Sequence, residues 1–318
     1  MPAPQPLANE KATLAGLIKA IESQRKSSVI VYWLTDNAKI SEAVIVPLYD
    51  HLQAIGKQES IDVVLFTRGG DTEAPWRFTS LIREYCKKFS VLIPHRAHSA
   101  GTLLALGANE IVMTPLGLLG PIDPYRTHPL LPRSAGATEA EPISVQDMRH
   151  AMQFIREAGG QGVPYTPEAM AQIFSALFEK IHPLAIGAIE QSYALAKLVG
   201  KQCLSTHMDP AKDEALIVSL VDKLCDEYKS HAYQISRAEA RAIGLKAVDA
   251  LPALEKAMMD LYKFYLGRPI APVPLPKSGQ VTMHIGWLDS TAVSMRVEAI
   301  YEITAGQAKY LGDQWRPY

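Results

Sequence analysis

Cysteine is scarce in this chain: Cys86, Cys203 and Cys225 are the only three in 318 residues, and no two are spaced as CxxC. That excludes a disulfide framework and a paired-cysteine zinc site, and reduced thiols in a cytoplasmic protein are the expectation. An excess of one charge is also missing. Lys and Arg total 32 against 33 Asp and Glu, for a net charge of −1, and the two signs are interspersed. A general nucleic-acid binder would carry a strongly basic face, so that class is set aside. No apolar run approaches the ~20 residues needed to cross a bilayer. The opening Met-Pro-Ala-Pro-Gln-Pro has no basic stretch leading into an apolar core, so no secretory signal is expected there. Internal repeats and low-complexity segments are absent too. What is present is an ordinary globular balance, 48% hydrophobic and 20% charged, in a chain long enough to bury a full core.

The first part of the chain alternates between two hydrophobic periods. Ser28 to Leu34, Ile61 to Phe66, Ser90 to Ile93 and Glu110 to Met113 are short apolar runs of the kind buried on both faces. Between them, residues 10–25, 41–55, 76–87 and 99–106 have the 3.6-residue period of helices. Alternation of this kind predicts right-handed crossovers and a mostly parallel sheet, an α/β architecture. Residues 125–166 break the pattern with Pro129, Pro132, Pro142 and Pro164 and a group of glycines, around a short helix at 144–157. This reads as an insertion across the α/β layer, either a lid or subunit contact or an ordinary surface excursion. Helices return at 167–199, 212–228, 236–244 and 252–265. A Pro-rich connector at 272–279 then leads into alternating residues, including Val293, Met295 and Val297, expected to form a β-hairpin over 281–304. The chain is therefore divided at 1–270 and 271–318, the second part being a candidate oligomer or partner contact.

Two turns carry the chemistry. The strand ending at Phe66-Thr67 runs into Arg68-Gly69-Gly70, and the strand ending at Ile93 runs into His98-Ser99-Ala100-Gly101-Thr102. A serine before a helix is usually only an N-cap. Here the order strand, glycine pair, helix, strand, Ser-Ala-Gly, helix sets two loops side by side. Gly69 and Gly70 leave backbone N–H groups unobstructed, and the helix starting at Ser99 directs free N–H groups at any oxyanion formed there. A hydroxyl beside such donors is what a serine acyl-transfer enzyme requires.

The runs Val63-Val64-Leu65-Phe66-Thr67-Arg68-Gly69-Gly70, Val91-Leu92-Ile93-Pro94-His95-Arg96-Ala97-His98-Ser99-Ala100-Gly101-Thr102 and Leu119-Gly120-Pro121-Ile122-Asp123-Pro124 resemble the serine dehydrogenase proteinase family. That family lies in the Clp protease/crotonase superfamily, with signal peptide peptidase A and the Clp proteolytic subunit. The resemblance covers about residues 28–125, and Ala238 to Leu245 is similar to the superfamily's closing helix. It implies a Clp/crotonase-like fold: a mostly parallel sheet of repeated ββα and βαβ units, a helical C-terminal half and a terminal β-hairpin. It also implies a serine peptidase with Ser99 as nucleophile, Gly70 and Ala100 N–H groups as oxyanion hole, and Gly69 allowing the turn. No cofactor and no metal are implied. The partners expected are a peptide or protein substrate and other copies of the chain, in a trimer or a multiple of it. Arg68 stands where the family usually has Pro, and Ala100 where it usually has Gly; Arg68 would put a positive charge at the cleft.

The general base is not given by the motifs. Asp123 occupies the place of the histidine that the Clp subunit uses, and a carboxylate is a poor base for a hydroxyl. A Ser–Lys dyad needs a desolvated lysine, and Lys180 is the first lysine after Lys88. His182 competes with it. At 100° per residue the two flank the Met170–Ile181 apolar stripe on opposite sides, so both should not face Ser99. Lys180 and His182 are accordingly candidate bases, each otherwise a solvated helix flank or a pre-proline helix end. His98 is expected to point elsewhere, while His150 and His231 stay open. Two other classes compete: a crotonase-type acyl-CoA enzyme, which Asp123 keeps in view, and a Clp-fold scaffold or adaptor without a base.

Overall fold

In the Ser28–Leu34 strand, Ile30, Tyr32 and Leu34 pack into one hydrophobic cluster while Val29, Val31 and Trp33 pack into another. A two-residue period with both faces apolar demands exactly such a double-sided burial. The computed structural model describes residues 5–126, 128–131, 143–158, 165–228, 230–271, 276, 278–304 and 307–318. Its main sheet has eight strands, in the order Ala247–Asp249, Glu110–Met113, Cys86–Ile93, Gln58–Phe66, Ser28–Leu34, Gly279–Asp289, Ser294–Thr304 and Gln307–Pro317. The first five run parallel to one another. The last three are antiparallel.

The Gln5–Arg25 and Pro252–Leu266 helices cover one face of the sheet, where Leu14, Ile18, Leu254, Met258 and Leu261 meet Val31, Val64 and Leu92. On the other face lie the Ile45–Ile55, Ala74–Arg83, Ala100–Leu106 and Pro183–Ser205 helices. The architecture is the expected α/β one, a mostly parallel sheet followed by helices and terminal strands. Among the described residues no helix is long and apolar enough to cross a membrane.

Several elements differ from the sequence reading. The helix expected over 76–87 stops at Arg83, because Cys86 already pairs with Gln58 at the start of the next strand. The Ala247–Asp249 edge strand was not expected at all; three residues are too few to show a period. The terminal hairpin is a three-stranded meander, and its first strand joins the main sheet through Val31↔Asp289 and Leu34↔Gly286. Of the 125–166 insertion, residues 127, 132–142 and 159–164 lie outside the described residues. The rest forms a short Tyr125–Arg126 and Ile143–Ser144 pair leading into the Val145–Ala158 helix.

A second, three-stranded sheet positions the site. Arg96–Ala97 runs parallel to Leu118–Leu119, which pairs antiparallel with Ile235–Ser236. Ile122 N–H donates to Leu224 O at 2.9 Å, and Gln146 Nε2 donates to Cys225 O at 2.6 Å. These bonds hold Leu224, Cys225 and the Ile235–Ser236 strand against the loops that follow the parallel strands.

The Ile45–Ile55 helix carries a built-in acid sensitivity. His51 is fully buried, with Nδ1 3.0 Å from Ser290 Oγ. Desolvation pushes its pKa from 6.5 down to about 4. Below pH 6.5 the unfolded chain binds a proton that the folded chain refuses, so stability is lost as pH falls from 6.5 toward 4. The full effect is on the order of 3 kcal/mol at 1.36 kcal/mol per pKa unit. A His51→Gln variant should therefore show a shallower fall of thermal midpoint across that window than the native chain. Equal slopes in the two proteins would show that His51 does not contribute.

Candidate active site

Ser99 has φ 51° and ψ −111°, and Lys26 is the one other non-glycine with positive φ among the described residues. For a serine this backbone is strained by roughly 1–3 kcal/mol, and such strain persists only where the surroundings impose it. The surroundings here are specific. Gly101 N–H donates to His98 O at 2.8 Å and Leu103 N–H to Ser99 O at 3.1 Å, so the chain turns sharply into the Ala100–Leu106 helix. Gly101 has to be glycine, since a Cβ there would lie 2.5 Å from Thr67 Cγ2 and 3.3 Å from Ala97 Cβ. Thr102 Oγ1 donates to Ala97 O at 3.0 Å or to Gly120 O at 2.7 Å and accepts from Gly120 N–H at 3.2 Å, tying the turn to the 118–124 loop.

The glycine pair approaches from the neighbouring strand. Thr67 and Ala97 form a parallel bridge, in which Thr67 N–H donates to Arg96 O and His98 N–H to Thr67 O, each at 3.2 Å. A Cβ on Gly69, whose φ is 115°, would lie 2.9 Å from Ser99 Cβ and 3.2 Å from Ala100 N. The two turns are in direct contact. A Cβ on Gly70 would lie 2.1 Å from Ile40 O, because Ile40 N–H donates to Gly69 O and Asp71 N–H to Ile40 O, each at 2.8 Å. Gly69 N–H is committed to Thr67 Oγ1 at 2.9 Å. Among the described residues, the N–H groups of Gly70 and Ala100 have no protein acceptor.

Ser99, Gly69 and Gly70 line one cavity of about 410 Å³ together with Arg68, Asp123, Tyr125, Ser192 and His231. Asp123 is buried and accepts from Ser144 Oγ at 2.7 Å and from Gln146 N–H at 3.3 Å. His231 Nδ1 lies 3.6 Å from Asp123 Oδ2 and has no hydrogen-bond partner nearer. Its ring stands edge-on to Tyr125, with centroids 4.7 Å apart at 87°. The carboxylate is thus fixed from the insertion side, the imidazole packs edge-on to Tyr125, and both line the serine's cavity.

The other sequence candidates lie elsewhere. Lys180 is exposed at the end of Pro167–Lys180, a helix with no buried residue. His182 is the exposed N-cap of the next helix, and its Nδ1 accepts from Leu184 N–H at 3.2 Å. Neither lines the Ser99 cavity, and the Pro167–Lys180 helix buries none of its residues. Ala100 is buried directly behind Ser99. His98 does not line the cavity. Burial, then the cations Arg96 and Arg68, push its pKa down to about 4. His150 lines a separate cavity with Arg149 and Glu190. Arg68 is exposed and bound to Asp36 at 2.9 Å, and Arg96 shares the same carboxylate. In the sequence His231 is one of two open histidines, and Asp123 stands where a histidine base would be expected. Their 108-residue separation leaves no local signal linking them. Among the described residues no group of three or more His, Cys, Asp or Glu is arranged to hold a metal ion.

The fold and site define an α/β protein with a serine on a strained turn at the C-terminal end of a parallel sheet. Residues 9–132 match the family model described as ClpP-like SDH-type serine proteinase, the family that the two turns resemble. Two uncharacterised proteins of Methanocaldococcus jannaschii are similar to this chain. One is 24% identical over 212 residues, covering 67% of this chain and 62% of the relative. The other is 30% identical over 119 residues, covering 34% of this chain and 40% of the relative. The chain therefore spans less than two thirds of the length of both relatives. Among solved structures, two variants of the 1510-N membrane-bound stomatin-specific protease align at a TM-score of 0.36. One is 15% identical, over 73% of this chain and 82% of its own. The other, in complex with a substrate peptide, is 16% identical, over 70% and 75%.

Proposed function

We propose that this chain is a serine peptidase whose nucleophile is Ser99 and whose general base is His231, oriented by Asp123. The observation that carries the reading is the strained Ser99 backbone, held at φ 51° against the Gly69–Gly70 turn in a cavity shared with His231 and Asp123. The family match over residues 9–132 supports the same class. Ser99 Oγ attacks the peptide carbonyl carbon while His231 takes the hydroxyl proton. The carbonyl oxygen becomes an oxyanion and accepts from the N–H groups of Gly70 and Ala100, both free of acceptors among the described residues. Gly69 serves the turn, its own N–H being bound to Thr67. His231 then returns the proton to the leaving amine, and water repeats the cycle on the acyl-enzyme.

In this scheme Asp123 faces His231 Nδ1, which leaves Nε2 for the serine proton and fixes the tautomer. The present 3.6 Å separation shortens to a hydrogen bond when substrate fills the cleft, since catalytic contacts are often long in the free enzyme. Peptides or proteins are the substrates, and the chain works as a homo-oligomer, a trimer or a multiple of it. The test is covalent labelling by a fluorophosphonate followed by tryptic mass mapping. The label should appear on the peptide spanning residues 97–126, at Ser99. Labelling at another serine, or none under conditions that label a known serine peptidase, overturns the assignment.

A further inference from the structure

A second cavity, of about 310 Å³, lies beside the Ser99 cleft, and the two share Ala38 and Lys39 as a common wall. Its floor is apolar: Leu34, Ile285, Val297, Met295 and Trp315, with Val46 at the side. Leu34, Val297 and Trp315 belong to one cross-strand row, since Leu34 pairs with Gly286, Gly286 with Val297, and Val297 with Trp315. Side chains at paired positions share a sheet face, so the row extends the buried face of the main sheet to its edge. Leu34, Ile285 and Val297 are nearly fully buried, whereas Val46 remains 70% exposed beside them. Lys39, Asp50 and Asp313 stand around the mouth.

We propose that this cavity is a specificity pocket that takes a large apolar side chain of the peptide bound across Ser99. The proposal rests on the peptidase reading above and goes further, because it assigns a role to the C-terminal meander, which lies outside the residues 9–132 that match the family model. The wall between the cavities is the 35–41 segment, and its Ile40 is the residue bridged to Gly70. A chain lying along the Gly70 turn therefore passes the Ala38–Lys39 wall within reach of the apolar floor. The shared Ala38–Lys39 wall, beside the Gly70 turn, points to a side chain of the substrate as the occupant. The preference is for an uncharged, bulky side chain such as Leu or Phe, because a charged one would be desolvated without a partner on that floor.

The experiment uses the full chain and two matched peptide sets, differing only in Leu, Phe, Ser or Asp at one position around the scissile bond. Cleavage by the native chain should favour Leu or Phe at one fixed position by at least about 10-fold over Ser, the scale on which an apolar pocket discriminates. Ala43→Trp adds bulk from an exposed position on the pocket's rim and should abolish that preference, bringing cleavage of the Leu and Phe peptides down to that of the Ser peptide. Binding is read separately on Ser99→Ala protein. The Leu or Phe peptide should shift Trp315 emission, and the shift should vanish in a Ser99→Ala, Trp315→Phe protein. Cleavage without side-chain preference, or a preference indifferent to Ala43→Trp, overturns the pocket while the peptidase reading stands. Apolar peptides that bind and shift Trp315 without being cleaved by native protein overturn the peptidase reading while the pocket stands.

Discussion

Ser99→Ala should lose peptide hydrolysis by at least about 10³-fold while its thermal midpoint stays at or above the native value. The chemical half of this expectation follows from the proposed nucleophile role: without the hydroxyl no acyl-enzyme would form, and only the proposed oxyanion donors and binding would contribute. The structural half follows from the turn. The Ser99 side chain makes no capping hydrogen bond, so its removal leaves no donor or acceptor orphaned. The strained backbone remains, and alanine tolerates φ 51° about as poorly as serine does. Ser99→Gly would relieve part of that strain, offset by roughly 0.5–1 kcal/mol of unfolded-state entropy. Both variants should be inactive and neither should be less stable. A Ser99→Ala protein that cleaves peptides at the native rate, or that melts well below native, would remove the serine from the chemistry or give it a structural role instead.

His231→Ala should reduce kcat/KM by about 10³-fold or more, and Asp123→Asn by about 10²–10⁴-fold, with the serine still present. The decisive readout is the pH profile. The pH dependence of kcat/KM in His231→Ala should differ in shape from that of the native chain. Asp123→Asn keeps the volume but offers an amide in place of an acceptor to His231 and Ser144, so the histidine loses its fixed tautomer. A merely structural role for either residue would lower stability without altering the shape of the pH profile. Lys180→Ala and His182→Ala, changed on exposed helix ends away from the cavity, should stay within about two-fold of native kcat/KM; a collapse of activity in either would move the base assignment to that residue. Fluorophosphonate labelling should slow in His231→Ala but still map to Ser99.

The parallel strands were legible because each carries its own evidence. Ser28 to Leu34 and Glu110 to Met113 are continuous apolar runs, and the structure places strands over those same residues. The serine and glycine turns were legible for a related reason: small residues directly after a strand mark where backbone must approach backbone, and a Cβ at Gly69 or Gly101 would indeed collide across the two loops. The Leu118–Leu119 and Ile235–Ser236 strands were not readable. Two residues have no period, and their pairing depends on a partner more than a hundred positions away.

The histidine was hidden by the same physics. Lys180 ends a helix with a clear apolar stripe and His182 follows two residues later, yet that helix buries none of its residues. His231 lies on a stretch without periodicity, and its relation to Asp123 is created by bonds such as Ile122 N–H to Leu224 O and by the Leu119↔Ile235 pairing. The sequence by itself therefore determined the α/β alternation, the serine on its turn and the glycines opposite, because local sterics and hydrophobic period are properties of neighbouring residues. Only the tertiary structure decided which histidine and which carboxylate share the serine's cavity, and that the terminal strands wall a second one. Those relations arise when a small sheet and the edge of a large one bring distant segments together, and no local preference encodes such long-range contact.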